Sequence, residues 1–254
     1  EICACLVGSE MCIRDRANKI CQLSMSMLNA VSNAILPRVA YLYSNSDNRK
    51  TKDFLMVSIS GAALIAFPMT FGVSAIANDF VPAFFGRGYD KSAELLKILC
   101  LNVLFVVLSN FIAQQCLIAR AKQKEYNIAI STSAILNVAL NLILVRNMKS
   151  VGVALASVIA SLAILLMVAN YSKDLINLKE IVNISWRYFV ASVVMYISIF
   201  KINLHDHWMT IIGQVIVGII IYFVVLIILK DTTIRKVLKQ GLSLIHISEP
   251  TRHA

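Results

Sequence analysis

Amides and hydroxyls recur at helical spacing in three apolar stretches of the chain. Gln22, Ser26, Asn29 and Asn33 form one set. Asn102, Asn110 and Gln114, with Gln115 beside them, form a second, and Ser133, Asn137 and Asn141 a third. Steps of three or four residues, or their multiples, bring each set onto one helix face. Amides turned toward lipid are costly, so these faces should point inward. Two chemistries suit them. One is hydrogen bonding between helices, worth about 0.6 kcal/mol per contact on average. The other is a hydrated lumen that touches a polar substrate. The candidate substrate-path residues are Asn29, Asn33, Asn110, Gln114, Gln115, Asn137 and Asn141. Three cations beside these stretches, Lys19, Arg38 and Arg120, either snorkel as anchors or capture phosphate, for which arginine offers a forked donor.

The acids are informative by their positions. Asp47, Asp53, Asp79, Asp90, Glu94, Glu125, Asp174, Glu180, Asp206 and Asp231 all fall in loops or at the edges of apolar runs. None is expected at mid-membrane, where a carboxylate would couple transport to protons or sodium. The sequence offers no Ser/His/Asp set, no metal-ligand cluster and no phosphate-cradling glycine loop, so neither catalysis nor a cofactor is expected. Cys21, Cys100 and Cys116 sit in apolar runs without paired spacing and read as small buried hydrophobes.

The elements that position these groups are membrane helices. Of 254 residues, 58% are hydrophobic and 15% charged, and the mean hydropathy is +0.74. That balance excludes a water-soluble enzyme, a disordered chain and a disulfide-rich module. Apolar runs of near-spanning length fall at 17–36, 54–77, 93–119, 126–145, 151–171, 188–200 and 208–229. The expectation is an all-α, polytopic bundle of about seven spans, with a kink at Pro68, which removes a helical hydrogen bond and crowds the Leu64 carbonyl. Gly152, Ala156 and Ala160 mark a face for close helix contact. The formal charge of +10 reads as orientation rather than nucleic-acid binding. Alternate loops carry 14 and 5 Lys/Arg, and the basic set, with Lys50 and Lys122, reads as cytoplasmic; Arg87 reads as external.

Both ends read as foreign to this bundle. Leu6–Arg16 and Leu242–Arg252 can be encoded by opposite strands of one string of about thirty-three bases, which resembles a sequencing-library transposon adapter, so both are set aside as processing scars are. The expected organisation is 1–16 adapter-derived, 17–241 membrane lobe and 242–254 adapter-derived, the lobe being part of a longer protein.

Four stretches carry a family resemblance. They are Leu36–Asn45 (LPRVAYLYSN); Pro68–Gly72 (PMTFG) with Phe84–Tyr89 (FFGRGY) and Leu95–Leu99 (LLKIL); Lys122–Tyr126 (KQKEY) with Asn137 and Asn141–Leu144 (NLIL); and Val151–Ala160 (VGVALASVIA). In order and spacing they resemble the polysaccharide flippases of the multidrug/oligosaccharidyl-lipid/polysaccharide exporter superfamily. The chain departs from that pattern at Arg146–Lys149, where proline and glycine are frequent, and at Ser161, where an acid is. The resemblance implies the second lobe of a MATE-like, two-lobe transporter in a bacterial inner membrane. It implies a flippase that moves undecaprenyl-diphosphate-linked oligosaccharide during surface polysaccharide or O-antigen biosynthesis. Its implied partners are the lipid-linked oligosaccharide, membrane lipid, and a polysaccharide polymerase and chain-length regulator. The alternatives are a drug or cation antiporter of the same superfamily, a membrane-embedded O-antigen polymerase or glycosyltransferase, and a non-transporting scaffold.

Overall fold

A computed structural model describes residues 2–44, 48–86, 90–200 and 207–229. Among these the chain is helical, in six elements: α1 (Ile2–Ser44), α2 (Asn48–Phe85), α3 (Asp90–Ile112), α4 (Gln123–Tyr171), α5 (Leu178–Ile199) and α6 (His207–Ile228). Every expected span lies in a helix. Two of them, 126–145 and 151–171, are the arms of α4, which bends at Lys149 (φ 47°, ψ −128°). Six described helical segments are long and apolar enough to cross a membrane, the arms of α4 counting as two. The span expected at 17–36 lies in α1, whose stripe of amides and hydroxyls lowers its hydropathy. The region read as adapter-derived at the start of the chain continues α1 as helix, and 242–254 lies outside the described residues.

Local chemistry sets the helix ends. α2 runs through Pro68 and Pro82 without leaving the helix. It stops at Gly86, whose φ of 87° suits a glycine after a helix end and whose N–H reaches the Pro82 carbonyl at 3.0 Å. α3 passes into a π-turn, Ala113–Leu117, and a 3₁₀ turn, Ile118–Arg120. Ala121 then closes the turn in the left-handed region at φ 57°. α5 begins ten residues before the expected start at Tyr188. Asn177 and Glu180 form a capping box there, each satisfying a backbone N–H of the other's end of the turn. Lys179 and Arg187, expected in a loop, therefore belong to a helix.

The topology puts alternate connections at one end. Lys52, at the start of α2, pairs with Glu180, at the start of α5, at 2.8 Å. Lys122, between α3 and α4, lies 3.6 Å from Asp174, between α4 and α5. At the other end Gln214 of α6 donates to Asp79 of α2 at 3.2 Å. One buried cluster, with Phe67, Leu96, Val103, Tyr188 and Leu226, joins α1, α2, α3, α5 and α6. A second, with Val39, Leu55, Phe111, Leu117, Val168 and Ile176, fills the Lys52 end. Outward, α6 exposes Ile212, Ile216, Ile219, Phe223 and Ile227, the surface a membrane helix gives to lipid.

The arms of α4 approach closely. A Cβ at Gly152 would lie 2.6 Å from the Leu144 carbonyl oxygen. Ser133 donates to the Ala160 carbonyl at 2.7 Å, and Ala156 is fully buried. The small-residue face thus holds the hairpin shut.

Candidate translocation path

The π-turn decides what the amides of α3 do. On a regular helix adjacent residues do not face the same way; here Gln114 and Gln115 converge on Ser32 of α1. Ser32 Oγ donates to Gln114 Oε1 at 2.7 Å, and Gln115 Nε2 donates to the Ser32 carbonyl at 3.0 Å. Gln115 is fully buried and its Oε1 has no hydrogen-bond partner among the described residues. One turn earlier, Asn110 Oδ1 accepts from the Tyr126 hydroxyl at 3.2 Å, and Asn102 accepts from Ser161 at 2.6 Å. Asn141 Nδ2 donates to Asn137 Oδ1 at 2.6 Å along the first arm of α4. Asn29 is half-buried and Asn33 exposed on α1. The structure joins Gln114 and Gln115 to α1, joins Asn110 to α4, and pairs Asn137 with Asn141.

The three cations lie apart. Lys19 and Arg38 are separated along α1 by about 28 Å at 1.5 Å per residue, so they cannot grip one phosphate. Arg38 is exposed and its guanidinium sits 5.1 Å from the Phe54 ring centroid. Arg120 Nε donates to the Cys116 carbonyl at 2.7 Å, satisfying the π-turn, while Nη2 is buried without a protein partner among the described residues. The Tyr43 hydroxyl donates to the Gln115 carbonyl at 3.2 Å. Burial pushes the Tyr43 phenol up, aided by Cys116 and opposed by the Arg120 guanidinium, so it remains a donor at neutral pH. Cys21, Cys100 and Cys116 are buried, as expected, and the thiols of Cys21 and Cys100 meet between α1 and α3.

A separate, apolar cavity of about 460 Å³ lies between α2, α5 and α6. Leu64, Pro68 and Gly72 line it from α2, Met195 and Ile199 from α5, and Gly218 and Tyr222 from α6. Two polar contacts flank it. The Gln214–Asp79 bond is one. The other is the Tyr222 hydroxyl, donating to the Leu64 carbonyl at 2.9 Å. That carbonyl is the one Pro68, without an N–H, cannot serve. The expected kink site therefore carries a repair from another helix. None of the seven candidate path residues lines this cavity. Gln214 and Tyr222 were not among the sequence candidates; a lone amide in the most apolar span was the available signal for Gln214.

A family model described as Lipid II flippase MurJ matches residues 7–229. The chain is 23% identical over 181 residues to the probable low-salt glycan biosynthesis flippase Agl15 of Haloferax volcanii, covering 68% of this chain and 37% of that protein. The solved structure of lipid II flippase MurJ in an inward closed conformation superposes with a TM-score of 0.73 at 19% identity, over 87% of this chain and 48% of that one. The chain thus spans less than half the length of these relatives, and the shared architecture is the polytopic helical bundle the resemblance implied. With a family match across nearly all of its helices and six described helical segments apolar enough to span, the chain belongs to the MurJ lipid II flippase family, as a multi-pass protein of the inner membrane.

Proposed function

We propose that the chain is the second lobe, 17–241, of a flippase that carries an undecaprenyl-diphosphate-linked oligosaccharide across a bacterial inner membrane for surface polysaccharide synthesis. On this reading the protein is a transporter without bond-making chemistry. The observation that carries the reading is the separation of two environments on one bundle. Amides gather on α1, α3 and the first arm of α4, while an apolar cavity of about 460 Å³ opens between α2, α5 and α6. A lipid-linked sugar has the same two parts. Its hydroxyls need amide partners; its isoprenoid chain needs an apolar channel or the bilayer itself. The names of the matched relatives, a lipid II flippase and a probable glycan biosynthesis flippase, support a lipid-linked glycan as cargo. Asn29, Asn33, Asn110, Gln114, Gln115, Asn137 and Asn141 are proposed to line the sugar path, and Lys19, Arg38 and Arg120 to meet phosphate at its two ends. A polymerase and a chain-length regulator are proposed as partners.

The test uses the complete protein in cells that depend on it. Asn137→Leu or Gln114→Leu is expected to reduce export at near-normal protein abundance, with lipid-linked oligosaccharide accumulating on the cytoplasmic side. Abundance falling in step with export makes these amides structural links between helices. No change in either removes them from the path.

A further inference from the structure

A second cavity, of about 190 Å³, lies between α2 and α3 and is lined by Thr70, Phe71, Ser74, Lys97, Cys100 and Leu101. It sits toward the end of the bundle away from Arg38 and Arg120. Lys97 is half-buried, about 8 Å along the helix from Ser92 at 1.5 Å per residue, inside the segment Ser92–Arg120 that is apolar enough to span. A cation at that depth needs a partner or a route to water. Among the described residues, Lys97 has neither a hydrogen bond nor an ion pair, and Glu94, one turn earlier, is exposed and unpaired with it.

The hydroxyls around it are unequal. Thr70 already donates to the Ala66 and Phe67 carbonyls, both at 3.0 Å. The Cys100 thiol is turned to Cys21. Ser74 makes no hydrogen bond among the described residues, so its O–H is free to donate. The cavity thus presents an ammonium with three donors, one free hydroxyl donor and no carboxylate, against apolar walls. It is too small for an oligosaccharide and open to a single small anion.

We propose that this cavity is a phosphate-binding subsite. Lys97 supplies the charge and Ser74 a second donor, and the group held is the phosphate of a lipid lying at that face of the membrane. The lipid is either the transported carrier, which rests on the flippase reading above, or a bilayer phospholipid, which does not. A lysine that merely snorkels toward the headgroups would need no second donor, so loss of the Ser74 hydroxyl would leave phosphate binding unchanged, and that difference is measurable.

The test is native mass spectrometry of the full 254-residue chain in detergent, delipidated and titrated with four probes: farnesyl diphosphate, farnesol, dioctanoyl phosphatidylglycerol and dioctanoylglycerol. At least one phosphate-bearing probe is expected to bind more tightly than its neutral counterpart. Lys97→Met should weaken that probe by about tenfold or more, as expected for loss of a charge-assisted hydrogen bond. Lys97→Arg should retain it, and Ser74→Ala should weaken it by a smaller factor. Sensitivity to Lys97→Met for farnesyl diphosphate assigns the subsite to the carrier; sensitivity for phosphatidylglycerol alone assigns it to bilayer lipid and leaves the flippase reading to its own export assay. Equal binding of charged and neutral probes overturns the proposal. So does equal binding by wild type, Lys97→Met and Ser74→Ala. Helix content by circular dichroism checks folding; if Lys97→Met fails to fold, Lys97→Gln and Ser74→Ala carry the same comparison.

Discussion

The contact between Tyr222 and the Leu64 carbonyl permits a quantitative test of how α2 tolerates Pro68. The bond is 2.9 Å long and joins residues 158 apart in sequence, and Tyr222 is 3% exposed. Tyr222→Phe removes only the hydroxyl. A neutral hydrogen bond contributes about 0.5–1.5 kcal/mol net, and an orphaned buried acceptor about 1–3 kcal/mol. Bonds between membrane helices average about 0.6 kcal/mol and reach about 1.7 kcal/mol. Because Pro68 has no N–H for this carbonyl, the upper part of that range applies, about 1.5 kcal/mol. Pro68→Ala restores an N–H at the fourth residue. In that background the carbonyl keeps a helical partner, and Tyr222→Phe should cost about 0.5 kcal/mol, near the membrane average. The coupling is then about 1 kcal/mol, roughly fivefold in the unfolding equilibrium. The assay is reversible unfolding by sodium dodecyl sulfate in mixed micelles, followed by circular dichroism, on the four proteins of the cycle. Equal cost of Tyr222→Phe in both backgrounds refutes the claim that the tyrosine repairs the proline; zero cost in both refutes the bond.

Two other outcomes are expected, one from the packing at a glycine and one from the loop charges. Gly152→Ala should destabilise the chain by about 1–3 kcal/mol in the same assay, because its Cβ would lie 2.6 Å from the backbone oxygen of Leu144, whereas Gly61→Ala, with nothing within 4 Å of the added carbon, should be neutral or stabilising by up to about 1 kcal/mol. Single cysteines placed at 50, 87 and 122 in an otherwise cysteine-free protein should label with an impermeant reagent in intact cells only at 87, following the charge bias of the loops; labelling at 50 or 122 without 87 inverts the topology.

Run length and composition alone sufficed for a helical membrane bundle, because lipid leaves a backbone no hydrogen-bond partner outside its own helix. The connections grouped by their basic content meet at one end through the Lys52–Glu180 and Lys122–Asp174 pairs, as alternate connections of antiparallel helices do, and which side of the membrane that end faces is left to the cysteine labelling. The start of α5 was recoverable too, from Asn177 followed three residues later by Glu180, but Lys179, Glu180 and Arg187 interrupt the apolar run and moved the expected start to Tyr188. Partner choice was not recoverable. The spacing of Gln114 on α3 announced a polar face, yet only the π-turn makes Gln114 and its neighbour Gln115 meet Ser32. Pro68 announced an unserved carbonyl at Leu64, yet nothing local pointed to Tyr222. Lys97 lay in a motif that suggested family rather than chemistry, until α2 brought Ser74 to the same cavity. Periodicity is a property of residues three and four apart, written into the chain; which helix a face meets depends on close packing among segments up to 158 residues apart, and that packing exists only once the bundle has formed.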